Sequence, residues 1–180
     1  MKFDRIDAKY LKAMVFGAND GIITTFAVVA GVMGAGLQPK IILILGVANM
    51  MADAVSMGIG DFLGEKSARQ LEEVRHEQVA KDGVWGTGLV TFIAFVTAGI
   101  LPLLPFVVQF LLGLSWPVGR QFLWSILATV GALFLVGSLR TLVTGLDKRW
   151  WWSGLEVLGI GAIAAMVAYG LGYGVEMLVG

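Results

Sequence analysis

Apolar residues run along the chain in five long blocks, at approximately 13–37, 41–64, 84–112, 122–143 and 151–179, and the short stretches between them hold most of the charge. Each block is long enough to cross roughly 30 Å of hydrocarbon at about 1.5 Å per helical residue. Lipid offers no partner to a backbone N–H or C=O, so a span must be a helix or a strand of a closed barrel. These blocks lack the apolar–polar alternation of barrel strands. The third block contains Leu101-Pro102-Leu103-Leu104-Pro105, where missing amide donors predict a kink or an early end. The stretch 65–82 reads as a short charged helix extending the second span, with Glu65 and Arg69 four residues apart and placed to pair. No internal repeat or low-complexity linker is present. The pattern predicts an all-α membrane protein of five transmembrane helices in a single transmembrane domain.

Charge adds an orientation. Lys2, Arg5, Lys9 and Lys12 precede the first block, Lys66, Arg69, Arg75 and Lys81 follow the second, and Arg140, Lys148 and Arg149 surround the end of the fourth. The two opposite loops hold only Lys40 and Arg120. Basic residues favour the cytosolic side, so the expected arrangement is a cytosolic N-terminus and, after an odd number of spans, a C-terminus outside. Trp85 and Trp150 to Trp152 then fall at the inner interface, and Trp116 and Trp124 at the outer one. The segment from Met1 to Lys12 reads as a retained cytosolic tail, because Asn19-Asp20-Gly21 interrupts the apolar run behind it and no small-residue cleavage site follows.

Composition agrees with lipid as the solvent: 57% of residues are hydrophobic, 14% are charged, and the mean hydropathy is +0.82. A soluble domain of 180 residues could not keep so much apolar surface from water. The net charge of zero provides no field for nucleic acid. The absence of cysteine excludes disulfides, thiolate metal sites and thiol catalysis, and a single histidine, His76, excludes a multi-histidine centre within one subunit.

Against this background the embedded acids stand out, since ionisable groups at depth cost several kcal/mol. Asp20, Asp53 and Glu156 fall inside the blocks, with Asp61 and Glu176 nearer the ends. Asp20 is about eight residues into its span, so roughly 12 Å deep. By the same count Asp53, Met57 and Glu156 lie in the same half of the bilayer, so acids from three helices reach a similar level and suggest one shared site. In the second block Asn49, Asp53, Met57 and Asp61 recur every four residues on one face. Beside them run Ala48, Ala52, Ser56, Gly60 and Gly64, a small-residue stripe that lets another helix approach closely. Ala27, Gly31 and Ala35 form a similar face in the first block. Carboxylates with an amide oxygen and a thioether suit a divalent first-row ion such as Fe²⁺ or Mn²⁺. Carboxylates also bind protons, so metal release can be coupled to proton uptake. Without a thiolate or histidine cluster, a tight zinc or copper site is disfavoured. Each residue has a plainer reading: Asp53 paired with Lys12 or Arg140, Met57 as packing, Asn49 as interhelical glue, and Glu156 snorkelling to the interface.

The run Asp20-Gly21-Ile22-Ile23-Thr24-Thr25-Phe26-Ala27-Val28-Val29-Ala30-Gly31 resembles the first-span signature of the vacuolar iron transporter family. The run from Ala48 to Lys66, with Ser56-Met57-Gly58 and Gly60-Asp61-Phe62-Leu63, resembles its second-span signature. The likeness covers all five spans in order, and its specific motifs lie within about the first 70 residues. It implies a five-helix homodimer with the ion path along the subunit interface, exporting Fe²⁺ or Mn²⁺ from the cytosol in exchange for protons. These ions are transported cargo, and no permanently bound cofactor is expected. It also implies that Asp20 and Met57 line the path. The family's second-span glutamate falls on Asn49, a departure, and Asp53 one turn on could supply the missing carboxylate. Longer relatives carry a glutamate-rich cytosolic metal-binding domain between the second and third spans, and here only about twenty residues stand in that place. The short form resembles prokaryotic members, so the expected location is a prokaryotic cell (inner) membrane.

The short remnant holds Glu72, Glu73, His76 and Glu77. Glu73 and His76 have the i, i+3 spacing of carboxylate di-iron sites, so these residues form a candidate secondary metal-capture site requiring two subunits. A plain solvated face is the competing reading. Asp61 and Glu156 are further candidate metal or proton sites. Two other functions compete. Gly58-Ile59-Gly60-Asp61 matches the GxGD signature of intramembrane aspartyl proteases, with Asp20 as the second aspartate, but the chain is short for such enzymes and lacks a Pro-Ala-Leu segment. A non-transporting membrane scaffold would explain the small-residue stripes and leave three deep acids without a role.

Overall fold

The computed structural model describes residues 8–75, 84–144 and 149–179, with the backbone alone for 142–144. It contains helices α1 (Ala8–Gly34), α2 (Pro39–Val74), α3 (Trp85–Gly99), α4 (Leu104–Leu112), α5 (Val118–Thr144) and α6 (Trp150–Val179). A 3₁₀ turn, Leu101–Leu103, joins α3 to α4. Five helical segments are long and apolar enough to cross a membrane, with α3, the turn and α4 forming one span. The chain is a multi-pass membrane protein built entirely of helices among the described residues.

The ends of these elements follow local chemistry. α1 is already helical at Ala8, the first described residue and before the expected apolar start, as helical hydrogen bonding carries on into the polar stretch. It ends at Gly34, three residues early. Gly36 adopts φ +64°, its N–H donates to Met33 O (3.1 Å), and Leu37 N–H donates to Val32 O (3.2 Å). This pair of bonds closes the helix with a left-handed residue that glycine alone adopts without strain. Pro39 then starts α2 with a preset φ and no N–H to leave unpaired. The proline pair breaks the third span as anticipated. Pro102 O, which a regular helix would bond within the span, instead accepts the Ser125 hydroxyl of α5 at 2.6 Å. α2 continues unbroken past the expected end of the span to Val74, and Arg69 Nη2 reaches Glu65 Oε1 at 3.2 Å on that extension.

α1 is the central helix and packs against α2, α3, α5 and α6. Phe26, Val29 and Val32 of α1 join Ile42, Met50 and Ala54 of α2, together with Phe95, Leu103 and Phe106, in the main buried cluster. Ile22 meets Ala132, Leu133 and Val157 in a second cluster against α5 and α6. α1 also lies close to α3, because a Cβ on Gly21 would collide with the backbone of Phe95. The small face around Gly31 meets α6 at Gly172 and Ala168.

One expectation is redirected. The α2 stripe of Ala48, Ala52, Ser56, Gly60 and Gly64 is exposed, and a Cβ on Gly60 or Gly64 would meet nothing within 4 Å. α2 contacts α3 through a different face, where Gly58 abuts Gly88. No helix of the same subunit covers the stripe among the described residues.

Candidate functional site

Asp20 and Asp53 are brought together by the α1–α2 crossing. Asp20 is half-buried and close enough to Asp53 for the two charges to interact. Its backbone carbonyl accepts the Thr24 hydroxyl at 2.8 Å, a back-bond that occupies the hydroxyl locally. On α2 the i, i+4 spacing places Asn49 over Asp53, and Asn49 Nδ2 donates to Asp53 Oδ2 at 2.7 Å. The amide thereby fixes the carboxylate and leaves Asn49 Oδ1 and Asp53 Oδ1 available as acceptors. Asp53 therefore bonds to neither Lys12 nor Arg140. Its partner is the amide one turn away.

Met57, one turn further along α2, has two roles. Part of it packs against the main buried cluster. It also lines a groove of about 540 Å³ with Lys12 and Phe16 of α1, and with Gly60, Asp61, Gly64, Glu65 and Ala68 of α2. Asp61 is half-buried and accepts the Thr91 hydroxyl of α3 at 3.2 Å. The groove thus opens at the end of the bundle where α1 begins and runs up α2 to within a turn of Asp53.

Glu156 does not join this group. Its carboxylate meets Arg140 Nη2 at 3.5 Å, with side-chain exposures of 66% and 44%, and the same guanidinium donates to Ser153 Oγ at 2.7 Å. The depth estimate placed the three acids at one level, but level alone does not give azimuth. Glu156 lies toward α5. Among the described residues no three of His, Cys, Asp and Glu cluster closely enough to hold a metal. The candidate set in one subunit is two carboxylates, an amide and a thioether. Of the secondary candidates, Glu72 is half-buried and Glu73 exposed on the last turns of α2, and His76 and Glu77 lie outside the described residues. Glu176 is exposed near the end of α6.

Three participants were missed from the sequence: Thr91, the Asn49–Asp53 bond and the place of Lys12 in the groove. Thr87 and Thr91, spaced by one turn in an otherwise apolar span, were the available signal for the first. The protease geometry is also missing. Asp20 has Asp53 as its charged neighbour, and Asp61 is engaged by Thr91 two turns away.

The VIT family model matches residues 11–84 and 75–173, nearly the whole chain. The chain belongs to the VIT family. A vacuolar iron transporter of Toxoplasma gondii is 29% identical over 233 aligned residues, covering 95% of this chain and 76% of the relative. One from Centaurea cyanus is 27% identical over 222 residues, covering 91% and 87% respectively. A vacuolar iron transporter of Plasmodium berghei is 46% identical over 57 residues, 32% of this chain and 21% of the relative. No solved structure matches the chain. Family membership makes the chain a transporter rather than an enzyme. The first two alignments are longer than the 180-residue chain itself, so these relatives carry insertions that it lacks. The two stretches matched by the family model meet at 75–84, just beyond α2.

Proposed function

We propose that this protein exports Fe²⁺ or Mn²⁺ from the cytosol in exchange for protons, along a path lined by Asp20, Asn49, Asp53 and Met57 at the interface of a homodimer. The observation that carries this reading is the half-buried Asp20 on α1, whose carboxyl lies within the electrostatic reach of Asp53 on α2, beside a helix face that no helix of the chain covers among the described residues. Two carboxylates whose charges act on each other in a medium of low dielectric are neutralised either by one divalent cation or by protons, which makes the two cargoes mutually exclusive. The amide oxygen of Asn49 and the thioether of Met57 complete a donor set suited to a first-row divalent ion. Asp53 takes the place of the carboxylate that the family's signature has at Asn49.

The exposed α2 stripe supports the assembly. Small residues allow the close approach, and two-fold symmetry would double a ligand set that one subunit leaves short. The orientation rests on the charge asymmetry, which puts the groove mouth, with Lys12 and the extension of α2, in the cytosol. The relatives are named for a vacuole and for iron, and transport into a vacuole is also export from the cytosol. An alignment longer than the chain itself and the seam at 75–84 support the absence of the cytosolic metal-binding domain. Residence in a prokaryotic inner membrane belongs to the same proposal.

The test is flux in proteoliposomes. Purified protein should move Fe²⁺ or Mn²⁺, a proton gradient should change the rate, and Asp20→Ala should abolish it. Undiminished transport by Asp20→Ala would remove Asp20 from the path, and proteolysis of a membrane substrate lost on Asp61→Ala would revive the protease.

A further inference from the structure

The groove that leads to Met57 has an unusual charge balance. Its two acids are each held by another group. Asp61 accepts the Thr91 hydroxyl on the α3 side, and Glu65 accepts both Nε and Nη2 of Arg69, at 3.3 and 3.2 Å. Lys12 lines the same groove from α1 and forms an ion pair with neither of them. Its side chain is exposed and shares the groove with the two carboxylates without bonding to either. With Arg69 offsetting Glu65, the charges of Lys12 and Asp61 leave the mouth close to neutral.

The groove is large enough for a hydrated ion. An octahedral shell of about six waters occupies roughly 180 Å³ at about 30 Å³ per water, against about 540 Å³ in the groove. A hydrated divalent cation entering here passes Glu65 and Asp61 before the thioether of Met57, with the Lys12 charge in the same groove.

We propose that Lys12 is a charge gate: a fixed cation that lowers the affinity of the groove for divalent ions, so that they pass on toward Asp20 and Asp53 instead of being retained at Asp61 and Glu65. Thr91 and Arg69 are positioning residues for this device, because they keep the two carboxylates from collapsing onto the lysine. The inference rests on the transport reading above and adds a residue that sets apparent affinity at the mouth.

The experiment is Mn²⁺ flux in proteoliposomes for wild type, Lys12→Met, Lys12→Gln and Lys12→Arg. A unit charge acting on a divalent ion across a water-filled gap of several Å contributes enough to change affinity by roughly three- to tenfold. Both neutral variants should therefore lower the apparent KM by that factor, and Lys12→Arg should keep the wild-type value. The gap between Lys12→Met and wild type should narrow in high salt, where the field is screened. An apparent KM at or above the wild-type value in both neutral variants would overturn the gate while leaving transport intact. An absence of flux in the wild type would instead overturn the transport reading on which the gate depends.

Discussion

Removing the Asn49 side chain tests whether Asp53 has become the second carboxylate of the path. Asn49→Ala deletes one hydrogen bond, the 2.7 Å contact from Nδ2 to Asp53 Oδ2, and leaves the backbone of α2 unchanged. Hydrogen bonds to charged groups contribute about 1.5–3 kcal/mol. Asn49 is exposed in the single subunit and Asp53 only half-buried, so the lower half of that range, discounted for screening, is the appropriate figure. About 0.7–1.4 kcal/mol corresponds to a three- to tenfold rise in apparent KM for Mn²⁺, since each 1.4 kcal/mol is a factor of ten. The assay is initial-rate flux across a concentration series, with Asn49→Ala, Asp53→Asn and the double variant side by side. If the amide acts by orienting Asp53, then Asn49→Ala adds little in the Asp53→Asn background, and the cycle shows a coupling of similar size to the single effect. Strictly additive effects would refute the argument, because Asn49 would then meet the ion independently of Asp53. A KM within twofold of wild type for Asn49→Ala would show that the bond has no functional weight.

Other consequences follow from the same geometry. Ser125→Ala should lower the thermal midpoint by several degrees in detergent, because Pro102 O loses its donor in a buried setting, at about 1–3 kcal/mol. Scanning fluorimetry would check it. Ala52→Trp should leave the helical content intact, since nothing among the described residues covers that face, and should shift the protein to a monomer in size-exclusion chromatography with light scattering. Gly58→Ala should lose stability by about 1–3 kcal/mol, because the new methyl would sit 2.9 Å from Gly88 O. Glu156→Gln should leave the apparent KM for Mn²⁺ unchanged, because Glu156 faces Arg140 and not the Asp20–Asp53 pair.

Much of the fold was legible because lipid simplifies the code. A span must be apolar, long and helical, so the five blocks and the proline break could be read almost directly. The ends were less so: Gly36 and Pro39 set the first turn, yet hydropathy extended the first span to Leu37. Within the site, periodicity put Asn49, Asp53, Met57 and Asp61 on one face, which the α2 geometry reproduces. Depth also put Glu156 beside them, and this failed because the side chain's direction around α6 depends on packing against α5. The small-residue stripe predicted a close helix contact, and no helix of the chain covers it among the described residues. Sequence spacing specifies a surface and not its occupant.

The unbroken course of α2 has a mechanical consequence. Beyond the expected end of the span, the stretch from Glu65 to Val74 rises about 15 Å at 1.5 Å per residue. The surplus is a stiff mast, braced at its root by the Glu65–Arg69 pair. The two family-matched stretches meet just past its tip, at 75–84. A module spliced in at that point would be carried at a set height above the groove, so such insertions can be gained or lost without disturbing the helices beneath.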